Sequence, residues 1–111
     1  MSFRVRYTRG ARDDLKRLYG FLLERDVAAA EHALEAIRKA TEVLCSFPFT
    51  CRKADHADPF LRELIVPFGE CGYVALFEIE GRDDSNTSLS DEVTRYVTIL
   101  AVRHQREDDY H

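Results

Sequence analysis

"FLRELIVPFGECGYVALFEIEG", Phe60 to Gly81, carries the pattern on which the architecture turns. Two runs rich in Leu, Ile, Val, Phe and Tyr flank a short Gly-Glu-Cys-Gly segment. Branched and aromatic side chains suit a pleated surface, and glycine supplies the backbone freedom of a turn. The stretch predicts a pair of neighbouring antiparallel strands.

Beyond it, "GRDDSNTSLSDE" (81–92) has no apolar pattern and is expected to be a flexible hairpin loop. It is longer than the ~2–5 residues that most hairpins use. "VTRYVTILAVR", Val93 to Arg103, then returns to strand composition, with a centre that is apolar on both faces. Such a run reads as a central strand covered on both sides or nearly so. Ahead of the hairpin, "TCRKADHADP", Thr50 to Pro59, is polar and reads as irregular. At the start of the chain "FRVRYT" alternates, with Phe3, Val5 and Tyr7 on one side and Arg4 and Arg6 on the other. That is the pattern of a half-buried strand.

Two helices are predicted in between. Thr8 can cap the first, with Asp13 and Asp14 near its positive N-terminal end. Leu15, Leu18, Tyr19 and Leu22 form its apolar stripe, leaving Arg12, Lys16 and Arg17 in water. Asp26 can cap a second helix from about Val27 to Ser46, whose stripe is Ala33, Ile37, Ala40 and Leu44. Ala30 and Ala36 beside that stripe let the two helices approach closely. "SFPF" ends the second helix, because proline lacks an amide and disfavours helix in the residue before it. The order is β-α-α-β-β-β. The expected fold is α+β in two layers, a helical hairpin on one face of a mainly antiparallel sheet, in a single domain over 1–111.

Composition narrows the function classes. About a third of the chain is charged, as in ordinary soluble proteins. No apolar stretch approaches the ~20 residues that cross a bilayer, and the opening residues do not form a secretory signal, so a cytoplasmic location is expected. Cys45, Cys51 and Cys71 contain no CxxC pair, and with His56 they match no usual zinc spacing, so neither metal nor cofactor is expected. The net charge of −4 weighs against simple electrostatic binding of nucleic acid. Bases nevertheless concentrate before Val27 (Arg4, Arg6, Arg9, Arg12, Lys16, Arg17, Arg25), whereas acids concentrate after Gly81.

The chain closes on "AVRHQREDDYH", Ala101 to His111, where an apolar strand passes directly into Arg103, His104 and Arg106. Rigid elements commonly present working groups at their ends. The plainer alternative is a solvated terminus, with Arg103 snorkelling from the sheet end. On that alternative Arg62 is an exposed strand residue paired with Glu63 or Glu80.

Four stretches in this order resemble the RelE/ParE superfamily of bacterial toxins. They are "YTRGARDDLKRLYGFL", "ALEAIRKATEVLCSFPF", "FLRELIVPFGECGYVALFEIE" and "VTILAVRHQRED". The last looks closer to ParE, the toxins of plasmid stabilization systems, than to RelE. The resemblance implies the toxin of a type II toxin–antitoxin pair, neutralised in a hetero-oligomer by a ParD-like antitoxin whose C-terminal segment folds onto it. Candidate antitoxin-binding residues are Leu18, Tyr19, Leu22, Leu34 and Ile37, on the groove between helical hairpin and sheet.

Two target classes follow from the likeness, and neither is a membrane. RelE-like members cleave messenger RNA on the ribosome, which requires a proton acceptor, a cation at the phosphorane and a proton donor. Arg62, His104, Arg106 and Tyr110 are the catalytic candidates, with Arg62 and His104 expected to converge on one concave rim. ParE-like members bind DNA gyrase and stall it, so the toxin needs no enzymatic site, and Arg62, Arg103, His104 and Arg106 become target-binding residues. Glu107, Asp108 and Asp109 would repel an RNA backbone at close range, which favours gyrase. An inactive or regulatory member is the third class.

Overall fold

The computed structural model describes residues 3–69, 71–81 and 95–105. Strand β1 (Arg4–Tyr7) leads into helix α1 (Arg9–Leu23), which is followed by α2 (Val27–Leu44) and a single 3-10 turn (Pro48–Thr50). Strands β2 (Arg52–Asp55), β3 (Asp58–Phe68), β4 (Cys71–Gly81) and β5 (Arg95–His104) complete the elements of the described residues. They form one sheet in the order β1-β5-β4-β3-β2. β1 runs parallel to β5, whereas every other neighbouring pair is antiparallel. Parallel neighbours need a long crossover, and the helical hairpin forms part of that path. The predicted hairpin is present: Phe68 pairs with Cys71, and Gly69 takes a positive φ of 62° at the turn. The 81–92 loop expected from sequence falls, after Gly81, outside the described residues.

The fold class matches the expectation, with one strand more than the sequence pattern indicated. The stretch read as irregular contains β2, whose residues are all exposed. An apolar alternation could not reveal it, because it has no buried face. Its register on β3 (Arg52 opposite Glu63, Lys53 opposite Arg62) and the Arg52–Glu63 ion pair at 3.0 Å hold it in place. Charges and a bulge between Lys53 and Asp55 suit a sheet edge, where they discourage pairing with other chains.

Both helix caps are where the sequence puts them. Thr8 Oγ1 accepts from the Ala11 amide at 3.1 Å, and Asp26 Oδ1 accepts from Ala28 and Ala29 at 3.0 and 3.2 Å. Such caps satisfy donors that have no partner inside the helix. α1 lies on β5 and α2 on β3. Between helices and sheet, Leu18, Ile37 and Leu44 meet Leu64, Val66, Phe77, Val97 and Ile99, all buried. Burying each of these side chains contributes about 1.5–3 kcal/mol, so this layer drives assembly.

The doubly apolar centre of the last strand has a different origin from the one expected. Leu76 pairs with Ala101 and Phe77 with Ile99, so Leu100 is an extra residue in β5. The bulge reverses the alternation, placing Val97 and Ile99 before it and Val102 after it in the same core. Among the described residues no helix covers the opposite sheet face of the strand, yet Thr98 and Ala101 on that face are buried as well. There Arg6 lies over the Tyr96 ring at 4.2 Å and bonds to Thr98 and Glu80.

The bulge also marks where β5 changes neighbours. β1 ends its pairing at Tyr7 and Ile99, and the start of α1 takes over. Thr8 donates its amide to the Ile99 carbonyl at 3.0 Å and its hydroxyl to the Leu100 carbonyl at 3.1 Å. One helical turn on, the buried Asp14 carboxylate accepts the Val102 amide at 2.9 Å. Asp14 therefore ties α1 to β5, a role that its position near the helix start did not indicate. Asp14→Ala is expected to leave that buried amide unpaired and to destabilise the chain by about 1–3 kcal/mol. Urea unfolding should report a lower midpoint at unchanged slope, and an unshifted midpoint would refute the tie.

Candidate functional site

The helical hairpin does not close completely on the sheet. Leu15, Leu18, Tyr19 and Leu22 from α1 face Ala30, Ala33, Leu34 and Ile37 from α2 across an open groove, with Tyr73 of β4 at its floor. The groove is shallow: its enclosed part is about 10 Å³, room for about one water molecule, and the rest opens to solvent. All five residues singled out in the sequence as antitoxin contacts line it: Leu18, Tyr19, Leu22, Leu34 and Ile37. The helical stripes bring them there, because positions three and four apart share a face. Leu18 and Ile37 also belong to the core, whereas Leu34 remains 40% exposed. Ala30 and Ala33 supply the depth, since larger side chains would fill it. Leu15 and Tyr73 complete the wall. Leu15 was legible from its place in the α1 stripe, but nothing local in the sequence brings Tyr73 of β4 to the helices.

The end of β5 lies beside the groove. His104 pairs with Tyr73 across the strands, and the imidazole meets the Tyr73 ring edge-on, with centroids 5.7 Å apart. Phe68 stacks against the same tyrosine at 5.9 Å. Burial pushes the Tyr73 phenol above its usual pKa. Arg103 pairs with Val74 and so leaves the strand on the opposite face from His104. Its guanidinium turns back to the carbonyls of His104 and Gln105 at 3.3 and 3.4 Å, which returns its charge to the strand end. Arg106 and Tyr110 lie outside the described residues.

Arg62 does not join this group. It pairs with Phe77, four positions along β4 from the Tyr73–His104 pair, a separation of about 13 Å along the strand at ~3.3 Å per residue. The expected convergence of Arg62 and His104 on one rim is therefore corrected by the antiparallel register. β3 and β5 run in the same direction, so the start of one and the end of the other lie at different ends of the sheet. The Arg62 guanidinium donates to the carbonyls of Pro59, Cys51 and Phe49 at 2.7, 2.9 and 3.3 Å. It thereby fastens the 3-10 turn and the start of β2 onto β3. Nor does it pair with Glu63 or Glu80, whose cationic partners are Arg52 and Arg6. Phe49 sits under the Arg62 guanidinium and packs edge-on against Phe3 and Phe60.

Cys51 lies partly buried beside this cluster, and desolvation pushes its thiol pKa up despite the charge of Arg62. Among the described residues, no three His, Cys, Asp or Glu side chains come together as metal ligands. No described helix is long and apolar enough to cross a membrane.

Known proteins resemble the chain in sequence and in fold. The sequence profile of the ParE toxin of the type II toxin–antitoxin system parDE matches residues 5–109. A protein named Toxin RelE1 from Caulobacter vibrioides is 32% identical over 81 residues, which is 73% of this chain and 84% of that protein. A solved chain from the chromosomal ParDE toxin–antitoxin system of P. aeruginosa superposes with a TM-score of 0.64. It is 17% identical, with 93% of this chain and 96% of that one covered, and so speaks to the fold. The chain belongs to the ParE toxin family of type II toxin–antitoxin systems, within the RelE/ParE superfamily.

Proposed function

We propose that the chain is a gyrase-directed toxin, held inactive in a hetero-oligomer by a ParD-like antitoxin that seats an apolar segment in the hairpin groove. The observation that carries the choice of target is the separation of Arg62 from His104. Ribonuclease action needs a phosphate-binding cation and a proton-transfer group around one scissile bond, within hydrogen-bond reach of it. A guanidinium fastened to three carbonyls at another level of the sheet is a poor candidate for that cation. A protein–protein contact makes no such demand, and Arg is favoured in one. The strand end with Arg103 and His104 is the proposed contact with gyrase, acting in the cytoplasm.

The test is induction of the chain alone in bacteria. Double-strand DNA breaks with an SOS response and intact messages are the expected outcome. Cuts in translated messages without DNA damage would transfer the assignment to ribonuclease, and in that case His104→Ala should slow cleavage by ~10²–10⁴-fold. For the groove, Leu34→Glu places a charge at an already exposed position. It should weaken antitoxin binding at least tenfold, about 1.4 kcal/mol, with the melting temperature little changed. Undiminished co-purification would refute the groove as the binding site.

A further inference from the structure

The groove and the end of β5 meet at one side chain. Tyr73 floors the groove beside Leu18, Leu22 and Ile37, and the same ring abuts the His104 imidazole. Its remaining surroundings are closed: Phe68 stacks on it, and the residue is only 3% exposed. The backbone beneath it is held as well. A Cβ on Gly72 would strike the Val66 carbonyl, and the Gly72 carbonyl accepts the Gln105 amide at 2.8 Å. In close-packed surroundings a ring held this way moves only together with its neighbours.

We propose that Tyr73 is a positioning residue through which the occupant of the hairpin groove sets how His104 is presented at the end of β5. The inference rests on the reading of the groove as a partner site and of the strand end as a target contact. It adds that the two sites are coupled. An apolar side chain wedged between Leu22 and Leu34 presses the groove walls onto the Tyr73 ring, and the ring transmits the displacement to the imidazole over one contact. Neutralisation then requires no antitoxin residue on the strand end itself. The coupling is reciprocal by thermodynamic necessity, so target binding at His104 disfavours the occupied groove by the same factor.

The experiment fills the groove without an antitoxin. Leu34→Trp, at a 40% exposed groove position, puts a larger ring in the space. In histidine-labelled full-length chain, the ring resonances of His104 are expected to move. Those of His56, between β2 and β3, should stay in place. The response should persist with Tyr73→Phe, because ring contact and not the hydroxyl carries it, and vanish with Tyr73→Leu. His104 resonances that ignore Leu34→Trp overturn the proposal. So does a response that survives Tyr73→Leu. Failure of a neighbouring antitoxin to co-purify overturns the partner reading alone, since the His104 response is read with no antitoxin present.

Discussion

Gly72→Ala is expected to destabilise the chain by about 3 kcal/mol, the upper end of what overpacking usually costs. The Cβ would drive into the Val66 carbonyl oxygen and come within 3.1 Å of the Phe68 amide nitrogen. Both are backbone atoms of the paired strand, so neither yields without breaking the β3–β4 ladder. The Gln105 side chain also lies 3.1 Å away, but it can swing aside. In a chain of this size each kcal/mol lowers the melting temperature by roughly 4–8 °C. A fall of well over ten degrees is the expected result, and one of a degree or two would mean that the carbonyl is not where the structure has it. Gly69 offers the contrast. Nothing lies within 4 Å of its missing Cβ, but its φ of 62° is left-handed, so Gly69→Ala should cost only about 1–2 kcal/mol.

Phe77→Ala is expected to cost more, about 3–5 kcal/mol. Phe77 is fully buried in the central strand, opposite Arg62 on one side and Ile99 on the other. Its cavity would be walled by paired strands, which collapse less readily than a loop does. Typical total stabilities are about 5–15 kcal/mol, so the variant should stand near the edge of folding. Denaturant titration would measure the loss, and a cost near 1 kcal/mol would show that the core relaxes around the gap. Gly72 and Phe77 lie about 16 Å apart along β4, so their effects should add to within ~0.5 kcal/mol.

Much of the fold was legible because its signals are local. The alternation of "FRVRYT", the Thr8 and Asp26 caps, the helical stripes and the glycine between β3 and β4 each depend on residues a few positions apart. The same holds for one half of the candidate site. The five groove residues named from sequence do line one groove, because helical periodicity alone puts them on facing stripes.

What escaped the pattern depends on neighbours distant in sequence. β2 is an exposed edge with no apolar face, and only its pairing with β3 makes it a strand. Asp14 resembled a charge near a helix start until Val102, 88 positions away, was brought to its carboxylate. The bulge at Leu100 shows only in the register of two strands. Arg62 was grouped with His104 because both sit on strands of one meander. Direction and register, rather than membership, decide distance, and they place Arg62 among the carbonyls of a turn.

Local signals in the chain specified both helices, their apolar stripes and every strand but β2, since backbone preference and side-chain period act over a few residues. Which ends of those elements meet depends on long-range pairing. Hydrogen bonds between strands set that alignment, and it joined His104 to Tyr73 and the groove while leaving Arg62 at another level of the sheet.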